Sequence, residues 1–369
     1  MMTAEQIARR VVAQGVAPAS AAGWARRTPA RARATASSCS RSGSGLGIHT
    51  CSSSDVGGDT GLFFDLASVT KPMTAIAFVR ARVDPGTPLG DLLPEARGTA
   101  SQGVPVELLL SHRAGLDAHR TLYAPLASGT PGARVDVSEA LREAANARRP
   151  DAQGSPPPGG FAPVYSDLGY LLAGAGLARA VGARDAGEAI GRLVLDPIGL
   201  AGCAGTVRDL RARGVRGPFA PTETVAWRGG PVVAAVHDEN AWALTGDGGS
   251  GHAGIFATIE GVLSFGRAVL DDLDRLEWLT RERPGGTLRA GFDGKSAPPE
   301  ASSAGACMGS RAFGHLGFTG TSLWIDSDAG VVVALLTNRV CPTRAHLAIR
   351  EARPWVHDAL FRAAVELEK

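Results

Sequence analysis

Hydrophobic and polar positions follow helix or strand periods along most of the chain and lose any period in one stretch. Residues 4–14 place Ile7, Ala8, Val11 and Val12 on one apolar stripe, with Glu5, Arg9 and Arg10 off it. This predicts a short amphipathic helix that packs against a sheet. Residues 26–59 are rich in Arg, Ala, Ser and Gly, with few large apolar residues and no strand alternation. Their composition predicts a loose surface segment. Order resumes at Leu62. Met73, Ile76, Ala77 and Val79 define a helix, and Pro72 fits only near its beginning, so Ser68 stands close to that helix's N-terminus. Residues 104–116 predict a short apolar helix ended by glycine. Further helices are expected over 137–149, 185–195 and 261–279, with Asp185 and Glu188 as a capping pair. The C-terminal part reads as an antiparallel hairpin or meander. Residues 313–326 lead through the turn Ser327-Asp328-Ala329-Gly330 into a buried strand, Val331–Thr337. A last helix is expected from about residue 343 to 367, broken near Pro354.

A length of 369 residues suits one large domain or two lobes. The formal net charge of +2 points to neither nucleic acid nor a membrane surface, and no apolar run suggests a signal peptide or transmembrane span. The expectation is a cytoplasmic protein, or a periplasmic one if the true start differs. The basic stretch after Trp24 lacks aromatic residues up to Phe63, which argues against a nucleic-acid arm. Five scattered cysteines form no CxxC pair, which disfavours a disulfide framework or zinc knuckle.

Ser68 and Lys71 carry the candidate chemistry. On a helix, positions i and i+3 share a face, so hydroxyl and amine meet. A serine hydroxyl needs a base to become a nucleophile, and a lysine of lowered pKa can be that base. The chain has 38 Lys plus Arg, only three of them Lys, and one of these stands at position 71. Arg could not serve there, because it does not deprotonate in proteins. Tyr165 lies at a loop-to-helix junction in Tyr165-Ser166-Asp167, where Asp167 could also simply cap the following helix, while Tyr170 is expected to pack. His112 reads as a structural hydrogen-bonder. His237, Asp238 and His252 could suggest a metal, but their spacing matches no standard site, and no cofactor is expected. No G-x-S-x-G elbow surrounds a candidate serine, which ranks an α/β-hydrolase low.

Ser68-x-x-Lys71, Tyr165-Ser166-Asp167 and His315-Leu316-Gly317, in this order, resemble the three motifs of the serine β-lactamase and penicillin-binding-protein superfamily. The likeness is greatest to class C β-lactamase-related hydrolases, which include carboxypeptidases, D-aminopeptidases and esterases. It covers the chain from about Leu62 onward. The resemblance implies an α+β fold, an antiparallel sheet flanked by helices with an inserted, mostly helical lobe. The implied division is 1–61 as an N-terminal helix and poorly patterned segment, 62–80 with 250–369 as the sheet lobe, and 81–249 as the helical lobe. It implies Ser68 as acylated nucleophile and Lys71 with Tyr165 as the general-base pair. The backbone amides of Ser68 and Phe318 would form the oxyanion hole, and Asp167, His315 and Gly317 would line the substrate site. The implied substrate is a small ester, amide or peptide.

The chain departs from the family pattern in three places. Asp167 stands where class C enzymes have Asn; it could hold Lys71 charged. His315 stands where many members have Lys, which removes a fixed cation near neutral pH. Both departures fit an esterase, amidase or peptidase better than an efficient β-lactamase. Residues 26–59 should supply the first two strands of the sheet and do not look like strands. These departures also motivate an alternative, a catalytically impaired binding module on the same fold.

Overall fold

In the computed structural model, which describes residues 1–27 and 52–366, the first apolar stripe forms helix α1, Ala4–Ala13. Thr3 and Gln6 close a capping box at its start, and Ile7, Ala8 and Val11 face the core. Strand β1, Ser20–Arg27, follows and pairs antiparallel with β2, Ser52–Gly58. The expectation that residues 26–59 hold no strand is therefore corrected at both edges of that stretch; residues 28–51 lie outside the described residues. The small residues of β2 reflect packing, because α1 lies directly on it. A Cβ on Gly57 would sit 2.2 Å from the Glu5 backbone, and Asp55 Oδ2 accepts a hydrogen bond from the Ala4 amide. Larger side chains that would have signalled a strand have no room.

Helix α2, Thr70–Arg80, has Pro72 as its third residue, where a missing N–H costs no internal bond. Every residue from Thr70 to Phe78 is buried, so α2 runs through the interior and not along a surface. Short helices follow, among them Val106–Leu110 and Val137–Asn146, which pack on helix α3, Asp167–Ala180; α3 in turn packs on α2. The expected 104–116 helix is shorter than its apolar run. It ends at Leu110, and His112 (φ 60°) takes a left-handed turn ahead of Gly115. Asp167 does not cap α3. Ser166 does, its hydroxyl accepting the Gly169 amide, which leaves the Asp167 carboxylate free to turn elsewhere. Helix α4, Ile259–Asp271, lies against the sheet.

Strands β3 (Phe313–Leu316), β4 (Ser322–Asp326) and β5 (Val331–Thr337) form the predicted meander. The sheet runs β2-β1-β5-β4-β3, all antiparallel, with a two-residue edge at Asp293–Gly294 beyond β3. In β5, Val331, Val333 and Leu335 face one side, with Trp24 and Trp324; Val332, Ala334 and Leu336 face the other. Helix α5, Ile349–Glu366, joins α1 over the first face, and α4 covers the second. The expected break at Pro354 does not occur. α5 starts later than the pattern suggested and continues through the proline, six residues in. Among the described residues no helix is long and apolar enough to cross a membrane.

Candidate active site

The turn that carries Ser68 is built from buried polar contacts. Phe64–Asp65 pairs with Phe256–Ala257 in a small second sheet. The chain then turns at Ala67, whose φ of 46° is left-handed, a conformation that costs a non-glycine residue about 1–3 kcal/mol unless its surroundings enforce it. They do so through Asp65, whose carboxylate accepts the Ala67 amide at 2.8 Å and the His237 amide at 2.7 Å. Thr319 Oγ1 donates to the Asp65 carbonyl and Thr321 Oγ1 to the Leu66 carbonyl, tying the Phe318-Thr319-Gly320-Thr321 stretch to the same turn. Gly317 is required at this seam, since a Cβ there would lie 2.0 Å from Thr321 Oγ1 and 2.4 Å from the Leu66 carbonyl.

Ser68 follows in a 3-10 turn that runs into α2, and the i, i+3 geometry brings Lys71 onto it, with Nζ 2.7 Å from Ser68 Oγ. Lys71 is wholly buried, and its Nζ also lies 2.7 Å from Asp167 Oδ1 and 4.7 Å from the centre of the Tyr165 ring. Burial pulls the lysine towards its neutral form, but Asp167 and Tyr165 outweigh it and hold Lys71 above its ordinary value. Burial likewise pushes the Tyr165 phenol up, with Lys71 only partly opposing it. The resting arrangement is thus a lysine ammonium and a neutral phenol facing Ser68.

Two histidines hold Tyr165 in place. His112 stacks on its ring, centroids 4.6 Å apart, and His112 Nδ1 accepts the Ser166 amide at 3.0 Å. Burial, then Lys71 and His315, drive His112 well below the usual histidine range. His112 makes a buried hydrogen bond of the kind its position suggested. His315 is also buried, 6.0 Å ring to ring from Tyr165. Its Nδ1 donates to the Leu316 carbonyl, which leaves Nε2 as an acceptor, and burial with the nearby Lys71 lowers its pKa to about 3. The third motif therefore carries no positive charge at neutral pH.

The cavity above Ser68 measures about 520 Å³ and is lined by Tyr165, Asp167, Asp238, Gly317 and Phe318 among others. Among the described residues, the backbone amides of Ser68 and Phe318 have no acceptor. The Phe318 ring is half exposed, stacked on His237 and covered by Arg339, whose Nε donates to the Phe318 carbonyl. A larger groove of about 1080 Å³ opens near Ser111 and Pro156, but the Ser111 hydroxyl there donates to the Glu107 carbonyl. His237 and His252 do not converge: His237 Nε2 pairs with Glu223, and His252 bridges Asp238 and Ser250. Among the described residues no three His, Cys, Asp or Glu side chains come together as a metal site.

All seven residues named from the sequence meet in this region. Sequence reasoning did not find Asp65, Thr319, Thr321 or Arg339. Thr319 and Thr321 carried a signal, since they follow directly on the His315-Leu316-Gly317 motif. Asp65 and Arg339 carried none, because the Asp65 contact with the His237 amide and the Arg339 contact with the Phe318 carbonyl span 172 and 21 residues.

A serine β-lactamase/transpeptidase-type α+β fold with a Ser-x-x-Lys pair at its helix–sheet junction is what these elements compose. The family model described as Beta-lactamase matches residues 55–353, and the chain belongs to that family. No curated protein matches it. Its solved structural relatives include EstCE1, described as a hydrolase with promiscuous acyltransferase activity, at 17% identity and a TM-score of 0.64 over 96% of each chain. A class C β-lactamase from Rhodobacter sphaeroides aligns at 13% identity and TM-score 0.63, covering 96% of this chain and 98% of that one. A D-stereospecific amidohydrolase from a Streptomyces species aligns at 17% identity and TM-score 0.59, covering 90% and 93%.

Proposed function

We propose that the protein is a serine hydrolase that forms an acyl-enzyme on Ser68 and cleaves a small ester or amide. The observation that carries this reading is the contact of a buried lysine with Ser68 Oγ, with Tyr165 facing both. The Ser68 oxygen attacks the substrate carbonyl while its proton passes to the Tyr165–Lys71 pair, which acts as base after losing one proton from its resting state. The Ser68 and Phe318 amides, which have no acceptor among the described residues, would take the oxyanion. Tyr165 returns the proton to the leaving alcohol or amine. Water then attacks the acyl-enzyme by the reverse relay, releasing the acid and Ser68. The esterase-like and amidohydrolase relatives support this substrate class. Neutral His315 leaves strand β3 without a cation for a substrate carboxylate.

Intact-mass measurement after incubation with a fluorophosphonate, and separately with a penicillin, tests the reading on wild type and Ser68→Ala. The expected result is a fluorophosphonate adduct on wild type alone. No adduct from either probe on a protein that unfolds cooperatively would sink it and leave the binding-module alternative.

A further inference from the structure

The larger groove, about 1080 Å³, shares no lining residue with the cavity above Ser68. Its floor carries positive charge without a counter-ion. Arg113 lines it, is 6% exposed, and forms no ion pair among the described residues. Its Nη2 donates to the Pro284 carbonyl, and its Nε is buried with no partner among the described residues. Arg148, 9% exposed and also without an ion pair among the described residues, lies behind the same floor and donates to the carbonyls of Ala100 (2.8 Å) and Ala114. Carbonyls satisfy N–H groups but do not neutralise a cation, so an anion in the groove would offset the cost of this burial. Of the two acids that line the groove, Glu107 is shared by Arg283 (2.8 Å) and Arg281 (3.3 Å), and Glu282 pairs with Arg289. Burial, then Arg283, draws Arg113 below its ordinary value, with Glu107 only partly opposing them. The loop Pro156-Pro157-Pro158 supplies a wall of ring faces without N–H groups. Gly159 and Gly160 (φ 80° and 85°) then turn the chain back, and a Cβ on Gly160 would lie 2.6 Å from Arg113 Cβ, so glycine lets the loop close over the arginine.

We propose that this groove is a second binding site, for a small organic anion: a carboxylate with an apolar body, its charge held by Arg113 and Arg283 and its body laid along the proline wall. The inference goes beyond the hydrolase reading and does not depend on it. A planar guanidinium suits a carboxylate because two parallel N–H groups match its two oxygens. A concave floor of one sign also concentrates ions of the other. Organic ligands take pockets of about 300–1,000 Å³, so the size of the groove fits an organic anion and far exceeds a bare ion.

The test is photolabelling of the full-length protein with 4-benzoylbenzoate and with 4-benzoylbenzamide, followed by peptide mapping. The two probes share an apolar aromatic body and differ in charge. At equal low concentration the acid should label the groove segments, 100–113, 154–160 and 281–284, at least about tenfold more than the amide, the worth of one charged hydrogen bond. Arg113→Gln and Pro157→Asp should each remove that difference. Pro157 is exposed, so its aspartate brings a carboxylate to the groove's arginines without touching the core, and this variant remains informative if Arg113→Gln fails to fold. No labelling of the groove segments, equal labelling by acid and amide, labelling confined to the segments around Ser68, or a difference that survives Pro157→Asp overturns the proposal. The labelling is read without substrate, so its outcome stands apart from whether Ser68 turns over an ester.

Discussion

Lys71 and Asp167 form an ion pair, 2.7 Å from Nζ to Oδ1, in which the lysine is wholly buried and the aspartate side chain is 25% exposed. The pair keeps a proton on the residue best placed to receive one. Asp167→Asn removes the charge that opposes burial, so the lysine releases its proton more readily. The alkaline rise of kcat/KM should move down by about one pH unit or more. A pH–rate profile of the variant checks this; an unmoved profile would show that Lys71 is not part of the base.

For the wild-type protein the same electrostatics fix the sign of the pH dependence. Lys71 and Tyr165 both lie above their ordinary values of 10.5 and 10.0. Near neutrality the reactive form, one proton short, is a minor species. Its share, and with it kcat/KM, should climb about tenfold per pH unit across the neutral and mildly alkaline range. Ester hydrolysis in overlapping buffers measures this, and a plateau already reached at neutral pH would count against the proposed relay.

Stability should depend on acid through three buried histidines. His315 is lowered to about 3, His357 to about 4, and His112 well below 6.5, in each case chiefly by burial. Their folded values lie below the unfolded one, so the unfolded chain binds more protons at intermediate pH. The stabilisation is whole above the unfolded value of 6.5. It is lost as pH falls towards the folded values, at about 1.4 kcal/mol per pH unit for each histidine. His357 bonds Ser322 Oγ and the Ser303 carbonyl. His357→Gln should therefore lower the melting temperature at neutral pH and flatten its decline between about pH 6 and 4. Thermal melts over that range decide it.

Two glycines separate fold from site. Gly57→Ala drives a methyl into the Glu5 backbone and should destabilise the protein by about 1–3 kcal/mol, while leaving the labelling rate of the folded fraction intact. Gly317→Ala drives a methyl between Thr321 and the Leu66 carbonyl, shifting the Phe318 amide relative to Ser68. It should slow fluorophosphonate labelling by about a hundredfold, the cost of an ångström-scale misplacement. Chemical denaturation and labelling kinetics on both variants distinguish the two effects.

What the sequence revealed follows from the range of the interactions involved. Ser68 and Lys71 were legible because three residues on a helix suffice to bring them together, and because lysine is rare in this chain. The meander was legible because a strand covered on both faces reads as an unbroken apolar run. Strand β2 was not legible, because its Ser and Gly content answers to α1 pressing on it from fifty residues earlier. The protonated state of Lys71 was foreshadowed by Asp167, but its direction depends on a balance between burial and two partners that only the assembled lobe sets. Ser166 displaced Asp167 as helix cap because the lysine claimed the aspartate.

Strand β1 sits between β2 and β5, with Ser20 registered against Thr337. During synthesis the first two strands therefore emerge long before the partner that completes them. A two-stranded ribbon is marginal in water and offers a free edge to other chains. Pairings so distant in sequence also fold slowly. The nascent chain must carry an unfinished sheet until β5 has left the ribosome, and Phe318 is among the later residues to reach the turn that carries Ser68. A chain stopped before Val331 would leave β1 without the strand that pairs with it from Ser20 to Arg26.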